Sequence, residues 1–71
     1  MIAIGFDPGT ARLGYGVIES EPDPRAIDYG VIVTDPDVPM AQRLLSIHSA
    51  VGELIDCHRP SAVAVERLFF A

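Results

Sequence analysis

The stretch Ile2-Ala3-Ile4-Gly5-Phe6-Asp7-Pro8-Gly9-Thr10, read together with Ala62-Val63-Ala64-Val65-Glu66, decides the fold. Each is a short apolar run that ends in an acid. Apolar runs of that length read as buried strands. Set parallel and adjacent, the two strands carry Asp7 and Glu66 to the same carboxyl edge of a sheet. That edge is where open α/β sheets place their chemistry. Two acids converging there suit a hard divalent cation.

Working outward, Ile2, Ile4 and Phe6 face one way along the first strand, and Ala3, Gly5 and Asp7 the other. The small residues let something pack closely on the face that carries the acid. Asp7-Pro8-Gly9-Thr10 has proline and then glycine at its central positions, which predicts a type II turn. Residues 13–18 read as a second strand, antiparallel to the first. A polar loop with Pro22 and Pro24 leads to a third strand over 27–34, where Gly30 marks an expected bulge. Asp37 is the expected N-cap of a helix with Pro39 in its first turn. Met40, Leu44, Ile47, Val51, Leu54 and Ile55 form one apolar helical face, opposite Gln42, Arg43, Ser46, Ser49 and Glu53. His58-Arg59-Pro60 ends the helix, and the strand over 62–66 follows at once. The order is β-β-β-α-β, with a right-handed crossover returning the last strand beside the first.

Bulk properties bound the reading. A chain of 71 residues is one thin domain, and near this size only about 60% of the unfolded surface is buried. Cys57 is the single cysteine, so no internal disulfide forms, which fits a reducing, intracellular setting. With 49% apolar residues the chain is too hydrophobic for disorder. It has no basic leader and no apolar stretch near the ~20 residues of a membrane-spanning helix. It contains no lysine, and its formal net charge is −5. Taken alone, that balance opposes nucleic-acid binding, whose footprint is basic. One helix covers one face of the expected sheet and nothing in 1–71 covers the other, so residues 1–71 read as the front part of a single domain.

Each candidate residue has a plain alternative. Asp-Pro-Gly is common turn chemistry, but Asp7 comes directly off a buried strand. Glu66 either pairs with Arg67 in solvent or serves as a ligand, and glutamate is depleted in strands. Two nearby carboxylates raise one another's pKa unless a cation lies between them. Mg²⁺ takes one or two protein carboxylates and fills its shell with water and phosphate, so two acids seed one ion. A two-ion site wants more. Phe69 and Phe70 are either core residues or a platform for a base. Arg12 and Arg67 are phosphate contacts or surface charges. His48 and His58 read as structural or solvent-facing, and Cys57 as an inert, half-buried thiol. No phosphate-binding P-loop, dinucleotide fingerprint, zinc spacing or nucleophile elbow is present.

The run Ile4-Gly5-Phe6-Asp7-Pro8-Gly9-Thr10, followed by Leu13-Gly14-Tyr15-Gly16-Val17-Ile18, resembles the opening of the RuvC-type Holliday junction resolvases. Pro60 followed by Ala62-Val63-Ala64-Val65-Glu66-Arg67-Leu68-Phe69 resembles their second acidic strand and the loop after it. The resemblance covers essentially the whole chain. It implies an RNase H-like mixed sheet of which this β-β-β-α-β half lacks the C-terminal half. It further implies a cytoplasmic homodimer that cuts opposed strands of four-way junction DNA in recombination and repair, with two Mg²⁺ or Mn²⁺ ions per site. Asp7 and Glu66 would be the first two catalytic metal ligands, Phe69 the aromatic set against junction bases, and the RuvA-RuvB branch-migration complex a partner. The family completes its site with two acids on a C-terminal helix that this chain does not contain, so residues 1–71 alone are expected to be inactive. Three other readings share features. The actin/sugar-kinase/Hsp70-type ATPases have a similar Asp-x-Gly-Thr loop, but they need two further motifs that are missing here. A small RNase H-like nuclease acting on ribosomal RNA precursors opens alike. A non-catalytic remnant or assembly module would use the uncovered face for pairing.

Overall fold

The computed structural model describes residues 1–9 and 11–66. Strands β1 (Ile2–Pro8), β2 (Arg12–Glu19) and β3 (Arg25–Val33) precede helix α1 (Met40–His58), and β4 (Ala62–Val65) follows it. One mixed sheet results, in the order β3-β2-β1-β4. β1 and β2 pair antiparallel with Ile4 opposite Val17, β2 pairs antiparallel with β3, and β4 lies parallel to β1 with Gly5 opposite Ala64. The expected meander and crossover are therefore present.

Alternation explains where the core sits. Ile4, Phe6 and Val17 point to the helix side and are buried, with Val51 and Leu54 of α1 packed on them. The helical stripe is only partly covered. Ile47, Val51 and Leu54 are half-buried, whereas Met40, Leu44 and Ile55 of the same stripe are exposed. β4 is also more open than its apolar sequence predicts. It pairs with β1 alone, and all four of its residues are exposed. On the opposite face Ile18, Tyr29, Val31 and Val33 lie open to solvent.

Three local expectations are corrected, and the expected helix end is met. β1 runs through Pro8, and no described glycine has a positive φ, so the type II turn centred on Pro8 and Gly9 does not form. The reversal lies further on, where the Gly9 N–H donates to the Arg12 carbonyl at 2.7 Å. A Cβ on Gly9 would stand 2.8 Å from that carbonyl oxygen, which explains the glycine. The bulge lies between Val17 and Ile18 opposite Asp28 and Ala26, leaving Ile27 as the extra residue, not at Gly30. Gly30 instead makes room for Tyr15, since an added Cβ would meet the tyrosine hydroxyl oxygen at 2.7 Å. Asp37 does not cap α1. Its own N–H is taken by the Asp35 carboxylate at 2.9 Å, and the cap position is Pro39, without a side-chain bond. At the other end Arg59 adopts a left-handed conformation (φ 50°) and its N–H returns to the Ile55 carbonyl, so the helix closes one residue before Pro60.

Candidate functional site

Parallel pairing of β1 with β4 decides the geometry of the acids. Phe6 stands opposite Val65, and the Glu66 N–H donates to the Phe6 carbonyl at 2.9 Å, extending the ladder by one bond. Asp7 and Glu66 are the next residues on their strands, so both leave the sheet at one corner. By alternation both side chains belong to the open face, away from α1. Around them lies a broad concavity whose floor includes Gly5, Gly14, Gly16 and Ala64. Gly14 is the ladder partner of Asp7. The face beside the acids thus has almost no side chains, and a large ligand can approach the backbone.

The two carboxyls interact. Glu66 is pushed above the ordinary carboxylate range, first by its hydrogen bond with Asp7, then by the Asp7 negative charge, and last by partial desolvation. Two carboxyls this close repel one another when both are ionised, and a cation between them would relieve that repulsion. Both groups are exposed hard oxygen donors, which suits Mg²⁺ or Mn²⁺ and leaves most of the coordination shell to water and substrate. Among the described residues no group of three His, Cys, Asp or Glu side chains is arranged to hold a metal, so the described donor set is these two acids.

The other candidates divide. Arg12 is exposed beside the turn after Asp7. His48 is exposed, and the His58 Nε2 lies 3.0 Å from the Asp28 Oδ2, tying the end of α1 to β3 as a structural contact. Cys57 is exposed and not half-buried, because its helical position falls outside the stripe that meets the sheet. Thr10, Arg67, Phe69 and Phe70 lie outside the described residues.

One feature was not legible in the pattern. Arg43, placed on the polar face by its periodicity, is half-buried, and its Nε–H donates to the Thr34 hydroxyl at 3.1 Å. The available signal was position, since Arg43 stands three residues after Met40 and four before Ile47, at the margin of the apolar stripe.

A four-stranded mixed sheet in the order β3-β2-β1-β4 with one crossover helix is an RNase H-like arrangement. Residues 3–71 match the family described as crossover junction endodeoxyribonuclease RuvC, and the chain belongs to that family. It is 42% identical over 71 residues to the RuvC of Thermomicrobium roseum, covering all of this chain and 44% of that protein. It is 46% identical to that of Alkaliphilus metalliredigens, with 99% and 43% covered. The structure of T. thermophilus RuvC in complex with a Holliday junction substrate superposes with a TM-score of 0.90 at 38% identity, over 100% of this chain and 46% of that one. The chain thus spans less than half the length of these relatives. The family match is to the resolvases, and the ATPase reading gains no support from it.

Proposed function

We propose that this chain supplies the first two metal ligands, Asp7 and Glu66, of a structure-selective DNA endonuclease that resolves four-way junctions in recombination and repair. The observation that carries the reading is the acid pair at the open corner of β1 and β4, where Asp7 raises the pKa of Glu66. When bound there, Mg²⁺ or Mn²⁺ activates water and stabilises an in-line displacement at phosphorus. The chain's own part is to present two carboxylates from rigid strands above a floor of glycine and alanine that a sugar-phosphate backbone can approach. The family match and the junction-bound relative support the substrate class. A net charge of −5 fits a basic DNA-holding surface that lies outside these residues.

The remaining parts of the reading follow from it. Two ions per site require more acids than Asp7 and Glu66, supplied by further chain in a protein of the relatives' length. A four-way junction offers two symmetry-related strands, which fits a homodimer with paired sites. Phe69, three residues past Glu66, stacks on a junction base. The RuvA-RuvB branch-migration complex is the partner that would deliver the junction in the cytoplasm. No described helix is long and apolar enough to cross a membrane.

The test is cleavage of a synthetic four-way junction in Mg²⁺ or Mn²⁺ by the full-length protein, by its Asp7→Asn and Glu66→Gln variants, and by residues 1–71 alone. Each variant should lose activity by about a hundredfold or more, since a ligand to the ion is removed. The isolated 71 residues should be inactive. Undiminished cleavage by both variants would overturn the assignment of the acids.

A further inference from the structure

The turn that follows Asp7 sits over a hollow. A cavity of about 150 Å³ lies between this turn and α1, bounded by Pro8, Gly9, Leu13, Ile32, Thr34 and Ile47 among others. Atoms that line a void lack contacts on one side, so apolar packing holds Pro8 and Gly9 weakly there. Polar contacts do the fixing. Gly9 donates to the Arg12 carbonyl at 2.7 Å, and the Thr34 N–H donates to the Ala11 carbonyl at 3.2 Å. Thr34 has only 7% of its surface exposed. Its hydroxyl accepts the Arg43 Nε–H from the first turn of α1 at 3.1 Å. A buried hydroxyl bonded to a guanidinium is a charge-assisted contact, stronger than a neutral one.

We propose that Thr34, held by Arg43, is a positioning residue for the Asp7 carboxylate. By holding the Ala11 carbonyl it fastens the chain entering β2 to α1 and so determines how tightly Asp7 and Glu66 hold a divalent cation. The inference rests on the reading of these two acids as metal ligands. Asp7 is itself in the β1–β2 ladder opposite Gly14 and its carboxyl meets Glu66, but its side chain is exposed and β4 ends at Val65 beside it. Mg²⁺ demands near-ideal octahedral geometry, and a site loses affinity when its ligands are displaced by a fraction of an ångström.

The experiment compares the full-length protein with its Thr34→Val and Thr34→Ser variants in two measurements. Valine keeps the shape and the backbone N–H but removes the acceptor, while serine keeps the acceptor. In Thr34→Val the amides of Gly9 and Thr34 should exchange with solvent roughly tenfold faster, as expected for loss of one hydrogen bond to a charged donor. The amides of the β1–β2 ladder should be unchanged. Affinity for Mn²⁺, read by titration, should fall by a similar factor, and Thr34→Ser should restore both. Uniformly faster exchange across the sheet would reduce Thr34 to ordinary packing and overturn the proposal, as would a loosened turn with unchanged Mn²⁺ affinity. A parent protein that binds no Mn²⁺ would defeat the metal reading itself, and the exchange data would then decide whether the clasp exists.

Discussion

The two faces of the sheet have divided the work between them. Under α1, Ile4 and Val17 are completely buried and Phe6 is nearly so. On the other face β3 shows Tyr29, Val31 and Val33 largely to solvent, beside a floor of glycine and alanine and the two acids. Alternation along each strand is enough to produce this difference, because neighbouring residues belong to opposite faces. The covered face provides the burial that holds the strands in register. The open face can then carry two carboxylates beside a floor of glycine and alanine without weakening the core. An acid on the covered side needs a partner against desolvation, as Asp28 has in His58 at 3.0 Å.

The largest test of that division is truncation of the core. Ile4→Ala should cost about 2–5 kcal/mol, enough to unfold most of a marginal 71-residue chain at room temperature. Tyr29→Ser, on the exposed side of β3, should fall within about 0.5 kcal/mol of the parent. Urea unfolding of the two variants makes the comparison. Similar losses would mean that the open face is already packed in solution.

Glycine substitutions sharpen the comparison at smaller cost. Gly30→Ala places a methyl group against the Tyr15 ring on the covered side, with the hydroxyl oxygen 2.7 Å away. The tyrosine must move, and a loss of about 1–3 kcal/mol is expected. Gly16→Ala meets nothing within 4 Å and should leave thermal stability unchanged or slightly raised, since alanine restricts the unfolded chain. In the full-length protein, however, that methyl would rise into the space beside the acids. A fall in junction affinity without a fall in melting temperature is the expected signature of the open face.

Much of this was legible in the sequence. The strand order and the meeting of Asp7 with Glu66 follow from two apolar runs, one crossover helix and the handedness rule, which are long-range regularities. Local chemistry was read less well. Pro8-Gly9 suggested its own turn, yet strand pairing carries β1 through Pro8 and moves the reversal to Gly9 and Arg12. Asp37 looked like a cap because the competing Asp35 carboxylate cannot be weighed from spacing alone. Gly30 looked like a bulge, whereas its cause is Tyr15 on the neighbouring strand, fifteen residues away in sequence. Coverage was misjudged most. Met40, Leu44, Val63 and Val65 are apolar in a pattern that predicts burial, and nothing among the described residues covers them.

The smallest effect is also the most specific to the open face, because it comes from protons. Glu66 is held above its ordinary pKa of 4.5, chiefly by the hydrogen bond with Asp7 and then by that group's charge. The folded chain therefore binds this proton more tightly than the unfolded chain does. The resulting contribution to stability is complete below pH 4.5 and is lost as pH rises through the raised value in the folded state. Asp7→Asn removes the charge, so the variant should lose less stability over that rise than the parent. Mg²⁺ should reverse the trend, since a cation favours the ionised pair and stabilises the fold increasingly toward neutral pH. Urea midpoints from about pH 4 to pH 8, with and without Mg²⁺, provide the measurement. Parallel curves for parent and Asp7→Asn would mean that the two carboxyls do not share a corner in solution, and the open face would then lack a site.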